Sequence, residues 1–346
     1  MTETILDGSA RVAPTTVVPS PIARVLDDLY LTLHIAPMGF TLSLLLLGVA
    51  SSGVAPTPRA IAALLAIGVA FHLFAYGLND LIDLPLDRTE LQRSDDPLVR
   101  GVITPATLAM IAMVQLPIAL GIAWYIDLPV RGVLALLVAF AGLAAYDTWG
   151  KRCPAPWLTD AIQGVGWASL LFVGAAMSAT TNAATLRMMA AILLYIQLIN
   201  GVHGPLRDLP NDYRRGARTT AIALGARPDG AGVFIPRALV VYALLLHGVL
   251  LLIVAMCVRD ATLTVQFAAA ALGAGLSMLL HVGYRQRGER TKLGLAGALY
   301  VALSFATLVL AGAHHATPLV QAALGWLVVI PAGLMFLRNA RQRSTP

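Results

Sequence analysis

Long apolar runs alternate with short polar segments along this chain. The runs fall near 28–51, 59–79, 104–125, 131–148, 157–178, 185–206, 233–257, 262–283, 293–313 and 317–337. Each is about 20 residues long, the length that carries an α-helix across the bilayer core. Only helices satisfy their own backbone over such a length in lipid, and the ten-residue alternation of a barrel is not seen. The pattern predicts an all-α fold, a multi-pass transmembrane helical bundle of nine to ten spans. Ten is the direct count; the short break near Ala313–Pro318 separates the last two. Residues 1–27 are read as a disordered cytoplasmic tail, polar and proline-containing, with no cleavable signal pattern. Residues 28–338 are read as one transmembrane domain and 339–346 as a short basic tail. Long polar segments follow the second and sixth runs, at roughly 80–103 and 207–232.

Composition agrees. The chain has 346 residues, 58% apolar and 12% charged, with mean hydropathy +0.76. A soluble domain carries roughly 25% charged residues. The net charge of +6 changes the picture only through its distribution. With the N-terminus in the cytoplasm, 20 of the 24 cations fall on the cytoplasmic side. Arg59, Arg131, Arg187 and Arg259 remain opposite. That is the positive-inside pattern, and it supports an even number of spans. No basic run is interleaved with aromatics on a polar domain, so no nucleic-acid partner is expected. Cys153 and Cys257 offer neither a CxxC site nor an expected disulfide. Arginine outnumbers lysine 22 to 2 and alanine is abundant, which points to a GC-rich bacterial genome and a cytoplasmic membrane.

The candidate chemistry sits at two run ends. Asp83-Leu-Pro-Leu-Asp87 and Asp208-Leu-Pro-Asn-Asp212 are near-copies 125 positions apart. The first extends upstream to Asn79 and Asp80. They close the second and sixth runs, as duplication of a four-helix unit would produce. Pro85 and Pro210 each remove a backbone donor and disfavour helix at the preceding residue, so the helices are expected to kink or end there. Asp80 and Asp83, at i and i+3, share a helix face, and Asp87 stays near the same rim.

Carboxylates at helix ends that face a bundle are usually functional. The competing reading is that they pair with nearby arginines as solvated loop charges, which are common and weak. Magnesium needs only one or two carboxylates per ion beside water and phosphate oxygens. Asn79, Asp80, Asp83 and Asp87 form one such set, and Asp208 and Asp212 the other. Zinc fits poorly, because the seven histidines are scattered and none pairs with cysteine. The same segments carry Arg88, Arg93, Arg100, Lys151, Arg152, Arg207 and Arg215, cations suited to a departing diphosphate. No GxxxxGK[ST] is present, so a soluble nucleotide is not the expected ligand. A lipid-tailed diphosphate fits instead, its head at the rim and its isoprenoid tail among the helices. Loss of diphosphate would leave an allylic carbocation, which an aromatic face such as that of Tyr146 stabilises by cation–π attraction.

These residues carry a resemblance. Asn79-Asp80-x-x-Asp83-x-x-x-Asp87 resembles the NDxxDxxxD motif of the UbiA superfamily of intramembrane prenyltransferases. Asp208-x-x-x-Asp212-x-x-x-Gly216-x-x-Thr219 resembles its second motif. Tyr146 followed by Lys151-Arg152 is similar to its tyrosine–lysine–arginine segment after the fourth span. Arg93 with Pro97-Leu98 and Gly101 resembles the stretch after the first motif. The likeness runs from about 30 to 310. It implies a bundle around a central cavity open laterally to lipid, with metals on Asn79, Asp80, Asp83, Asp87, Asp208 and Asp212. It also implies diphosphate contacts from Arg93 and Lys151, and places Tyr146 near the reacting carbon. The chain departs from the pattern at Asp96, where many members are basic, which can shift a diphosphate contact to Arg100. It departs again in the first span, Leu33-His34-Ile35-Ala36-Pro37, where many members carry an arginine. That change speaks against a carboxylated acceptor. Most members have nine spans.

The expected activity is magnesium-dependent transfer of a prenyl group from a prenyl diphosphate to a hydrophobic, aromatic acceptor, with manganese as a possible substitute metal. Asp83, Asp208, Tyr146 and Lys151 are the expected catalytic residues. Besides donor, acceptor and membrane lipid, no obligate protein partner is expected. A UbiA-type terpene cyclase would share the ionisation half of the reaction. An ion-coupled transporter would place its charges near the bilayer midplane, whereas these lie at one rim.

Overall fold

The computed structural model describes residues 21–89, 93–230, 232–283, 287–314 and 316–344. In chain order the helices are α1 Pro21–Thr32, α2 Ile35–Ser52, α3 Pro58–Asp87, α4 Pro105–Tyr125, α5 Val130–Trp149, α6 Pro156–Ala175 and α7 Ala183–Leu198. A π-helical turn, Ile199–His203, joins α7 to α8 Gly204–Arg214. Then follow α9 Thr220–Ala223, α10 Arg237–Val258, α11 Leu263–Gly283, α12 Arg290–Ala313 and α13 Pro318–Ser344. Several helices start where threonine precedes proline. Thr57 and Thr104 accept hydrogen bonds from the backbone N–H of Ala60 and Thr107, and Pro58 and Pro105 follow with no donor to leave orphaned.

Among the described residues nine helices are long and apolar enough to cross a membrane. The expected tenth span lies in α13, whose apolar stretch Pro318–Ile330 is too short to count by the same measure. α13 nevertheless packs along α2. Two of the nine are much longer than the rest: Pro58–Asp87 with 30 residues and the continuous run Ala183–Arg214 with 32. At about 1.5 Å per residue each exceeds 40 Å, against roughly 30 Å of hydrocarbon. The surplus turns are the ones that bear the aspartate motifs.

The structure departs from two sequence expectations and adds one element. Helix α3 runs through Pro85 to Asp87, and α8 runs through Pro210 to Arg214. Pro85 lies in the last turn of α3, where little helix follows the lost hydrogen bond. The tail read as disordered over 1–27 is helical from Pro21 onward, while residues 1–20 lie outside the described residues. Ile22, Val25, Leu26 and Leu29 form an i, i+3, i+4, i+7 stripe on this helix. A small antiparallel sheet was not foreseen. It joins β1 Arg227–Asp229, β2 Gly232–Phe234 and β3 Arg287–Glu289, with Arg227 opposite Phe234 and Val233 opposite Gly288. Strands of three residues leave too little alternation to read.

Helix α2 is the hub. Leu44, Leu45, Leu46 and Leu47 are fully buried on all sides. It meets α6 at very close range, because a Cβ on Gly48 would lie 1.9 Å from the Leu171 carbonyl oxygen. On the facing helix, a Cβ on Gly174 would lie 1.9 Å from the Leu45 carbonyl oxygen. Gly142 and Gly166 allow α5 and α6 the same approach. Small residues at crossings are how helices pack tightly in lipid, where hydrophobicity alone drives no association. Below the motifs, Phe71 meets Phe140 and Trp167 edge-on at 5.3 and 5.2 Å, and Phe40 meets Trp167 and Phe305 at 5.1 and 5.0 Å.

Candidate active site

The last two turns of α3 hold the first acidic set, and each carboxylate has a partner from another segment. His34 donates from Nε2 to Asp80 Oδ2 at 2.7 Å. Lys151 donates from Nζ to Asp83 Oδ2 at 2.8 Å. Arg93 Nε lies 3.8 Å from Asp87 Oδ1. Asn79 turns its amide between Asp83 Oδ2 at 3.5 Å and Asp147 Oδ1 at 3.4 Å. Asp80 is 7% exposed, so its charge is largely withdrawn from water.

Helix α8 supplies the second set. Asp208 is nearly half exposed and takes a two-point contact from its neighbour Arg207, 2.8 Å at each oxygen. Asp212, one turn on, is buried. After Arg214 the chain reverses at Gly216, whose φ of +67° favours glycine. The reversal lays this segment against the first set, for the Arg218 N–H donates to the Lys151 carbonyl at 2.9 Å. Thr219 caps α9, and the Thr220 hydroxyl donates to Asp160 Oδ2 on α6 at 2.5 Å.

Lys151 is where the sets meet. It bonds to Asp83 and lies within electrostatic reach of Asp212 and Asp208. Burial alone would lower its pKa, but these three acids outweigh that and hold it above the ordinary lysine value. The ammonium therefore stays charged. Tyr146 is within reach of Asp83 and Asp212, one acid from each motif. The expected residues Asn79, Asp80, Asp83, Asp87, Asp212, Tyr146 and Lys151 are thus gathered at one end of the bundle.

The arginines divide differently. Arg93 stays with the first motif. Arg100 pairs with Asp28 on α1 and also bonds the Asp95 carbonyl. The side chain of Arg215 bonds Asn211 Oδ1 at 3.3 Å. Arg88 and Arg152 are exposed. Three groups escaped the sequence reading as site residues: half-buried His34 and Asp147, and buried Asp160. Asp147 Oδ2 is buried with no hydrogen-bond partner. Its signal was present, as an acid ending an apolar run, beside Tyr146 and four residues before Lys151.

Among the described residues no three acidic, histidine or cysteine side chains converge closely enough to hold one ion. The donor set still fits magnesium. It is all oxygen, and that ion keeps waters and takes phosphate oxygens beside one or two carboxylates.

Solved structures share this architecture. A UbiA homologue from Aeropyrum pernix K1 superposes with TM-score 0.60 at 17% identity, covering 81% of this chain and 97% of that one. A UbiA homologue from Archaeoglobus fulgidus bound to GPP and Mg2+ gives 0.58 at 17%, covering 81% and 99%. Digeranylgeranylglyceryl phosphate synthase gives 0.58 at 13%, covering 84% and 99%. No curated protein sequence matches the chain. With nine helices among the described residues long and apolar enough to cross a membrane, two aspartate motifs meeting at Lys151, and a match to the UbiA prenyltransferase family model over residues 40–292, the chain belongs to that family of membrane proteins.

Proposed function

We propose that this protein transfers a prenyl group from a prenyl diphosphate to a hydrophobic, aromatic acceptor within the membrane. The observation that carries this reading is the position of Lys151. It sits between acids of both motifs, beside Tyr146, at the end of a bundle that is otherwise apolar. The Archaeoglobus fulgidus homologue bound to GPP and Mg2+ supports the donor class.

The diphosphate head lies at the motif end and the prenyl tail among the helices. Magnesium, or manganese in its place, would be held by Asn79, Asp80, Asp83, Asp87, Asp208 and Asp212 and supplies Lewis-acid neutralisation of the diphosphate. Lys151 and Arg93 bind phosphate oxygens, and Arg207, freed from Asp208, reaches the same group. Arg88, Arg152 and Arg215 widen the positive rim, while Arg100 supports it through α1. The bond between C1 of the prenyl chain and the bridging oxygen breaks, and its electron pair leaves with the diphosphate. Tyr146 presents its ring face to the allylic cation. An electron-rich carbon or oxygen of the acceptor donates a pair to C1, and the acceptor then loses a proton. The site is assigned to the cytoplasmic face of a bacterial cell membrane, an orientation supported by the 20 of 24 cations on one side of the ten-span reading.

A cyclase would share the ionisation step and use the chain's own double bond as nucleophile. The two readings separate without acceptor. Membranes containing the protein are incubated with geranyl, farnesyl or geranylgeranyl diphosphate and magnesium, and the extract is analysed by gas chromatography. Prenylated product is expected only after an aromatic acceptor is added. A cyclic terpene formed without acceptor, and lost in Asp83→Ala, would replace transfer with cyclisation.

A further inference from the structure

Histidine 34 stands where the first span is broken, and it is built into the first aspartate motif. The residue lies between α1 and α2 with φ 46° and ψ 49°, a left-handed conformation that is uncommon for a side chain with a Cβ. An observed outlier of this kind needs surroundings that hold it. Here they are specific. The neighbouring carbonyls of Leu33 and His34 both accept from His72 Nε2 at 3.1 Å. His72 is fully buried, and its Nδ1 meets the Thr41 hydroxyl at 2.9 Å. The His34 ring stacks on Tyr76 with centroids 4.8 Å apart and planes 26° apart, and Tyr76 in turn meets the His72 ring at 4.5 Å.

His72, Tyr76 and Asp80 follow one another at four-residue spacing, so they form one stripe along α3. His34 lies along that stripe. Its backbone is held by the first residue, its ring rests on the second, and its Nε2 donates to the third at 2.7 Å. Every degree of freedom of the imidazole is thereby fixed toward one carboxylate oxygen. His34 engages only Oδ2 of the two carboxylate oxygens.

We propose that His34 is a positioning residue for Asp80: the interrupted first span holds an imidazole that orients this carboxylate for the divalent cation. The inference rests on the metal–diphosphate reading above. Outer partners of metal-binding carboxylates act by fixing ligand orientation.

The test measures metal binding directly. Purified full-length protein in detergent is titrated with Mn2+ beside a non-reactive thiolo analogue of geranyl diphosphate, and free Mn2+ is read by electron paramagnetic resonance. His34→Ala is expected to weaken apparent Mn2+ affinity by roughly 10-fold or more, with the same thermal unfolding profile as wild type. His34→Gln, which keeps an N–H donor of similar reach, is expected to stay near wild type. His72→Leu is expected to reproduce the alanine loss without adding to it in the double variant. Where His34→Ala is not recovered folded, His34→Asn, too short to reach Asp80, serves in its place. Wild-type affinity in the alanine or asparagine variant overturns the proposal, as does a glutamine variant that binds as weakly as alanine. If wild type itself binds no Mn2+ with the analogue, the metal–diphosphate reading fails, and the proposal falls with it.

Discussion

Lys151 and its acids show how one residue carries charge balance for a site assembled from distant parts of the chain. It is 68 residues from Asp83 and more than 50 from Asp208, yet it answers to both. Asp83→Ala and Asp208→Ala are each expected to lower turnover by roughly 100-fold or more, the scale for losing a group that stabilises developing charge. Both side chains sit at a polar rim and not in the packed core, so the variants should remain extractable and monodisperse in detergent. Full activity in either would leave the two-motif site without support. Lys151→Met, assayed over a range of donor concentrations, is expected to raise the donor KM as well as lower kcat, because the ammonium meets the diphosphate before and during ionisation. A change confined to kcat would assign Lys151 to the chemical step alone.

At the scale of elements, the crossing of α2 and α6 is the closest backbone approach seen at the glycines of the described residues. Gly48 and Gly174 let the backbones touch, and a side chain at either meets a carbonyl that cannot move aside. Gly174→Val is expected to cost about 3 kcal/mol, the upper end of overpacking penalties, seen as a lowered Tm in detergent. Gly121→Val on α4, where a Cβ would meet nothing within 4 Å, is expected to leave Tm unchanged and serves as the control. An equal effect at both positions would mean that side-chain volume at this crossing does not govern stability. The surplus length of α3 and of the α7–α8 run matters as much. Its extra turns carry Asp83 and Asp208 in helical register beyond the length that roughly 30 Å of hydrocarbon requires.

For the whole molecule, orientation and metal dependence are the expectations to check. Single cysteines at Ser344 and Thr181, in a background lacking Cys153 and Cys257, are expected to label from opposite sides of the membrane, with Thr181 outside. Labelling of both from outside would mean an odd number of crossings, with α13 not spanning. Activity is expected to vanish with chelator and return with magnesium or manganese. Persistence in chelator would show that Lys151 and the arginines suffice for ionisation.

Hydrophobic length and the two aspartate phrases made the membrane fold and the acids of the candidate site legible in sequence. Those properties are local: about 20 apolar residues cross a bilayer whatever their neighbours, and a motif is a spacing along one helix. What the sequence could not supply was pairing between segments. Pro85 and Pro210 were expected to kink or end their helices, and the helices run on to Asp87 and Arg214. Arg100, expected among the diphosphate cations, also pairs with Asp28 on α1, a partner 72 residues away that no local pattern announces. Asp147 and Asp160 were lost among apolar residues until α5 and α6 brought them beside Asn79 and Thr220. The four-residue stripe of His72, Tyr76 and Asp80 was there to be read. That His34, 46 residues before Asp80, lies along it was decided only by the tertiary structure. A hydrogen bond depends on distance in space, and the break between α1 and α2 sets that distance.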